Sequence, residues 1–151
     1  MLTLEAISDR LELQDLTYAY SHAIDSRDFA ALKDVFIPDA HIDPSEFGGP
    51  AGSLETLLPW INEGMAPLGG THHLMANHQF VVDGDRATGR IMCYNPMETP
   101  GKQGDITDVT VCGLFYLDEY VRVAGSWRIA SRIMKKTYIF RGLFEANSPA
   151  Q

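Results

Sequence analysis

Proton chemistry near neutral pH needs imidazole, carboxylate and hydroxyl groups within reach of one another. The sequence carries five histidines, His22, His41, His72, His73 and His78, and three of them fall within Thr71–His78. On an extended strand successive side chains point to opposite faces. His73, Met75 and Asn77 would then share one face, and His72, Leu74, Ala76 and His78 the other. Histidine gives and takes protons in this pH range, although a strand histidine taken alone is more often structural. Asp25 is the second candidate, placed just after Ala23-Ile24 at the end of a helical pattern. A carboxylate there opposes the helix dipole, the kind of local inconsistency that functional sites tolerate; the plain alternative is a turn carboxylate. Tyr18 and Tyr20 are the third pair. One should face inward, where its hydroxyl could donate to a substrate carbonyl or its ring could simply fill the core.

Other chemistries find less support. His41-x-Asp43 would put two metal ligands on one strand face, with His72 and His73 as additions, but no H-E-x-x-H, cysteine pair or His-x-His occurs, so no metal is expected. The absence of G-x-G-x-x-G, G-x-x-x-x-G-K-[ST] and G-x-S-x-G argues against nucleotide cofactors and a nucleophile elbow. Cys93 and Cys112 lack basic neighbours and lie in apolar runs. They read as buried free thiols of a reducing cytoplasm, with a bond between neighbouring strands as the open alternative.

The elements that must position these groups are helices first and strands after. Leu4, Ile7, Leu11, Leu13, Leu16, Tyr20 and Ala23 form a helical stripe. Asp28 is placed to cap a second short helix, Phe29 to Phe36, which Pro38-Asp39 ends. Ala40 to Asp43 reads as a short strand and Pro44 to Gly52 as a loop. Ser53 caps a third helix bearing Leu54, Leu57, Leu58 and Ile61, with Pro59 inside it. His73 to Val82 and Arg86 to Met97 form a hairpin across Asp83-Gly84-Asp85. Pro96 to Asp105 reads as a loop. Thr107 to Val123 and Trp127 to Phe140 are two long strands joined at Ala124-Gly125-Ser126. This order predicts an α+β fold in one domain, its long strands coiled over the helices around a cavity.

With 151 residues, 45% hydrophobic and 21% charged, the chain has the composition of one globular domain. Twelve Lys and Arg against 20 Asp and Glu leave a net charge of −8, which gives no attraction to nucleic acid or anionic lipid. The start Met1-Leu2-Thr3-Leu4-Glu5-Ala6 lacks the basic and apolar regions of an export signal. No apolar run approaches the length that spans a bilayer. A cytoplasmic protein without membrane or nucleic-acid partners is expected.

Four segments resemble the SnoaL-like branch of the nuclear-transport-factor-2-like (NTF2-like) superfamily, which includes polyketide cyclases, scytalone dehydratase, a bile-acid 7α-dehydratase and a hexachlorocyclohexane dehydrochlorinase. They are Leu13-Gln14-Asp15-Leu16-Thr17-Tyr18-Ala19-Tyr20 with Ala23-Ile24-Asp25; Phe29-x-x-Leu32-x-x-Val35-Phe36-x-Pro38-Asp39-Ala40; His73-x-x-x-Asn77 with Val82-Asp83-Gly84-Asp85-x-Ala87; and Gly113-x-Phe115-Tyr116-x-Asp118-x-Tyr120 with Gly125-x-Trp127-x-Ile129. The resemblance covers about residues 4 to 145. It implies a cone-shaped α+β barrel with a deep apolar pocket and no cofactor. In the lyases of that group an Asp late in the first helix pairs with a strand His, positions held here by Asp25 and His73, and a polar residue five before the Asp, here Tyr20, lines the pocket. Tyr18, His72, Asn77 and Trp60 are the candidate substrate contacts. Two features depart from the pattern. The second pocket tyrosine of the dehydratases would fall near Pro44 and is missing, and the basic residue of the last strands could be Arg132, Lys135 or Lys136.

The resemblance implies a cofactor-independent lyase or isomerase acting on a hydrophobic, cyclic, oxygenated small molecule by His–Asp proton abstraction. The other reading is a non-catalytic small-molecule binding protein or an oxygenase small-subunit-like protein. A homodimer or homotrimer is expected, because the two longest strands carry apolar residues at both parities and a strand with one wet face should alternate.

Overall fold

The computed structural model describes residues 1–100 and 106–143. Thr3 opens helix α1 (Leu4–Asp25) by accepting a hydrogen bond from the Ala6 N–H at 3.1 Å. Its buried face is Asp9, Leu13, Leu16, Thr17, Tyr20, Ala23 and Ile24. Leu4, Ile7 and Leu11 are exposed. At 3.6 residues per turn they lie on the side of the helix opposite Asp9, Leu13, Leu16 and Tyr20. The sequence stripe therefore merged two faces, of which only one packs inward.

The second expected helix is a 3₁₀ segment, Phe29–Asp34, and the Asp28 side chain makes no capping bond to it. Strand β1 (Phe36–Asp43) starts earlier than expected. Ser53 caps α2 (Leu54–Met65), its hydroxyl accepting from the Thr56 N–H. Pro59 is accommodated inside this helix, which buries Leu57, Ile61 and Met65.

Strands β2 (Leu74–Asp83), β3 (Arg86–Pro100), β4 (Ile106–Val123) and β5 (Ser126–Leu143) form an antiparallel meander, and β1 adds to β5 in parallel. The sheet order is β1-β5-β4-β3-β2, so β1 and β2 are edges and the sheet does not close into a barrel. Strands stand about 4.8 Å apart, which would separate β5 and β2 by about 14 Å in a flat sheet. Helix α1 packs against both, so the sheet curves around it. Tight turns at Gly84 (φ 57°) and at Ala124-Gly125 (φ 50° and 83°) join the hairpins, the left-handed conformations that two-residue hairpin turns require.

Strand β3 runs on through the expected loop after Pro96. Inward alternation persists through Asn95, Met97 and Thr99. The residues before β2 pair with this extension: His72 N–H donates to the Pro96 carbonyl, and Gly69 and Gly70 bond Glu98. The remainder of that expected loop, 101–105, lies outside the described residues.

The deepest charge sits inside the core. Arg132 of β5 has no exposed side-chain surface, nor has its partner Asp118 of β4. Arg132 Nε and Nη2 donate to the two Asp118 oxygens at 2.8 and 2.6 Å, and the Tyr120 hydroxyl donates to Asp118 Oδ2 at 2.7 Å. The guanidinium carbon lies 4.1 Å from the Tyr20 ring centroid and 4.2 Å from that of Tyr116. Burial alone would lower the Arg132 pKa, but Asp118 outweighs it and holds the group above its ordinary value. Breaking such a pair from one side leaves an uncompensated buried charge. Asp118→Ala is expected to cost about 3–5 kcal/mol in urea denaturation. The joint replacement Asp118→Leu with Arg132→Met should cost clearly less.

Candidate active site

A cavity of about 230 Å³ opens between α1, α2 and the concave face of the sheet. Tyr20 and Ile24 of α1, Trp60 and Met65 of α2, Leu68, and Met97, Leu114 and Met134 of the strands make its wall mainly apolar. His73, Asn95 and the hydroxyl-bearing rings of Tyr20 and Tyr116 bring polar groups to this wall.

His73 lies at the start of β2, and its ring reaches back to the end of α1. Nδ1 stands 2.6 Å from Asp25 Oδ1. The same carboxylate accepts from the His73 backbone N–H (2.8 Å, Oδ2) and from the Thr71 hydroxyl (3.0 Å, Oδ1). These donors compensate the unfavourable position of a carboxylate at a helix C-terminus. Burial pushes the Asp25 pKa up, but the His73 ring and N–H and the Thr71 hydroxyl outweigh it and hold the carboxyl below its ordinary value. Ser21 steadies the strand entry by donating to the His73 carbonyl at 2.7 Å.

The carboxylate fixes the imidazole. With Nδ1–H donated to Asp25, the proton-accepting nitrogen is Nε2. Asn95 Nδ2 lies 3.1 Å from that atom. The Tyr20 ring stands edge-on to His73 at 6.3 Å and to Tyr116 at 5.6 Å. Burial raises the pKa of both tyrosines, against the lowering effect of Arg132. Both hydroxyls thus keep their protons at neutral pH.

The structure brings together Asp25, His73 and Tyr20, and sets Trp60 in the cavity wall. The other three candidate contacts lie elsewhere. Tyr18 projects from the outer side of α1 against His78 and is largely exposed. His72 precedes β2 and is exposed. Asn77 sits at a bulge between Ala76 and Gln79 with φ 49°, which breaks strand alternation and turns its side chain to the surface. Of the three basic candidates, Arg132 is the buried one, whereas Lys135 and Lys136 bind Glu46 at the surface.

Sequence reasoning did not single out Asn95, Tyr116 or Thr71 as site residues. Tyr116 supplies from β4 a second cavity tyrosine where Pro44 left none. The available signal was parity: Asn95 continues the inward series Ile91, Cys93, and Tyr116 the series Cys112, Leu114. Cys93 and Cys112 are free and buried, and burial pushes the Cys93 thiol up to about 12, which leaves it protonated and unreactive. Among the described residues, no three His, Cys, Asp or Glu converge on a point that could hold a metal, and no helix is long and apolar enough to cross a membrane.

A long N-terminal helix held in a curved, unclosed five-stranded sheet is the NTF2-like architecture. The chain belongs to the SnoaL-like domain family, whose model matches residues 5–133. An uncharacterized protein of Mycobacterium tuberculosis strain H37Rv is 41% identical over 138 residues, 91% of this chain and 92% of its own. Among solved structures, a protein from Kribbella flavida superposes with a TM-score of 0.79 at 27% identity, covering 89% of this chain and 95% of its own. A hexachlorocyclohexane dehydrochlorinase from Novosphingobium barchaimii has the same fold, with a TM-score of 0.79 at 19% identity over 97% of this chain and 99% of its own.

The Asp25 shift has a consequence for stability. A folded-state carboxyl pKa below the unfolded value of about 3.9 contributes stability that is present above that value and lost as pH falls through the folded one. The urea midpoint of the wild type should therefore drop more steeply between about pH 5 and 3 than that of Asp25→Asn. Parallel curves for the two proteins would contradict the assignment.

Proposed function

We propose that the protein is a cofactor-independent lyase or isomerase, of dehydratase or cyclase type, acting on a hydrophobic, cyclic, oxygenated small molecule. The observation that carries the reading is the 2.6 Å contact between Asp25 and His73 Nδ1 at the wall of an apolar cavity. His73 Nε2 removes a proton α to a carbonyl: the C–H bond breaks, an N–H bond forms, and the electron pair passes to the enolate. Asp25 holds the tautomer and stabilises the imidazolium. Tyr20 donates a hydrogen bond to the enolate oxygen. The proton then returns from His73 to another carbon, or the enolate collapses to a C=C bond, the β-carbon's bond to its leaving group breaks, and His73 Nε2–H gives its proton to the departing group. The apolar lining excludes water and strengthens each electrostatic contribution. That a hexachlorocyclohexane dehydrochlorinase shares the fold is consistent with an elimination. A binding protein would need the cavity but not the dyad.

Deuterium uptake at the α-carbon of a bicyclic ketone such as 1-tetralone, followed by NMR in D₂O, tests the reading without knowledge of the natural substrate. The wild type should exchange this position well above background. His73→Ala should abolish the effect, and Asp25→Asn should lower it about 10²–10⁴-fold with the fold intact. Excess EDTA should leave the rate unchanged. Wild-type rates in both variants would remove the mechanism, and loss of exchange in EDTA restored by a divalent ion would remove its metal independence.

The reading extends to assembly and compartment. The convex face of β5 exposes Ile133, Tyr138 and Phe140, and we assign that face to contacts in a homodimer or homotrimer. Light scattering on dilute protein should give two or three times 16.8 kDa; the monomer mass would refute it. Two buried free thiols suit a reducing cytoplasm.

A further inference from the structure

Asn95 is 7% exposed and lines the cavity, yet among the described residues its carboxamide has one side-chain partner. That partner is His73 Nε2 at 3.1 Å, and Oδ1 is bonded to no protein group among the described residues. Buried amides are ordinarily bonded at both ends, because an unmade bond leaves the cost of desolvation uncompensated. Here the single bond falls on the atom that, on the proposed function, changes from acceptor to donor during each turnover. While Nε2 carries a lone pair, the amide must present Nδ2–H to it. Once Nε2 has taken the substrate proton, Nδ2–H would face another N–H. Rotation of the carboxamide by half a turn replaces Nδ2 with Oδ1, which accepts from Nε2–H. Among the described residues no protein group bonds Oδ1, so the rotation breaks no protein–protein bond at that end.

We infer that Asn95 is a positioning residue that tracks the protonation state of His73 by flipping its carboxamide, donating to the neutral ring and accepting from the imidazolium. The inference rests on the role of His73 as the base. The other titratable groups around the ring support the same division of labour. Asp25 and Tyr20 of α1 stand against the ring, Cys112 and Tyr116 of β4 line the same cavity, and Cys93 of β3 lies near Tyr116. Arg132 of β5 lies behind the tyrosines and is neutralised by Asp118. Asp25 serves Nδ1 in both states and Nε2 has Asn95, so the ring stays in place while its proton count changes. During proton abstraction the substrate C–H takes the place of the amide at Nε2, and the amide returns in its flipped orientation to hold the new N–H.

The flip is read in the resting protein by NMR, which needs no substrate. In ¹³C,¹⁵N-labelled wild type, neutral His73 should show a coupling across the hydrogen bond from Asn95 Nδ2 to His73 Nε2. Acidification that protonates Nε2 should abolish it and replace it with a coupling from the His73 Nε2 proton to the Asn95 carbonyl carbon. Retention of the first pattern, or unmoved Asn95 amide signals while Nε2 gains its proton, would overturn the inference. In the 1-tetralone exchange assay, Asn95→Leu should reduce kcat at least about tenfold with KM changed less than about twofold. Asn95→Asp, whose carboxylate only accepts, should move the acidic limb of the rate profile upward by at least about one pH unit. An Asn95→Asp profile that superposes on the wild type would overturn the inference as well. If no protein exchanges 1-tetralone, the base reading fails on its own, and the couplings still decide whether the amide flips.

Discussion

A guanidinium held in the dry interior governs how this fold is put together. Arg132 can be buried only because Asp118 accepts two of its N–H bonds and because the faces of Tyr20 and Tyr116 lie against its plane. Those partners come from β4 and from the middle of α1. The charge therefore fixes the depth at which the helix enters the sheet and the rotation at which it presents its inner face. Tyr20 is set in the cavity wall by this contact, and one helical turn later the chain delivers Asp25 to the mouth of β2. The cation in turn favours ionisation of both tyrosines, partly offsetting the burial that keeps them protonated.

The site follows the same economy of compensation. A carboxylate at the end of α1 meets the negative end of the helix dipole, and it is stable there because the Thr71–His73 segment brings two side-chain donors and one backbone N–H to it. Closing that set of bonds orients the imidazole, so the residues that relieve the carboxylate also fix the ring. The curved sheet then does two things at once. It wraps α1 tightly enough to bury Arg132, and it leaves toward α2 a space lined by Trp60, Met97 and Met134 in which a small apolar molecule can lie against His73.

Much of this was legible in the residues. The order of elements, the Asp83-Gly84-Asp85 hairpin and the Ser53 cap follow from local rules of turn and cap chemistry. Asp25 stood out because it violates one of those rules. What escaped was tertiary in origin. Periodicity counted Leu4, Ile7 and Leu11 with the core because a helix can be apolar on two opposite sides, and only packing decides which side is covered. Asn77 was assigned by strict alternation, which a single left-handed residue at a bulge cancels. Tyr18, His72 and Asn77 all lie close in sequence to site residues but leave the cavity because the helix rotation, the strand start and the bulge turn them outward. Tyr116 and Asn95 were missed for the converse reason: each is one inward residue in a long strand, and nothing local distinguishes it from its neighbours until α1 is laid across the sheet.

The proposed chemistry depends on Asp25 locking His73 into the tautomer whose Nε2 carries the lone pair. Nitrogen-15 spectra of histidine-labelled protein at neutral pH report this directly. His73 should carry its proton on Nδ1, with a strongly downfield hydrogen-bonded proton signal, and Asp25→Asn should remove that signal. A His73 protonated on Nε2 alone, or an Nδ1 proton signal unaffected by Asp25→Asn, would contradict it.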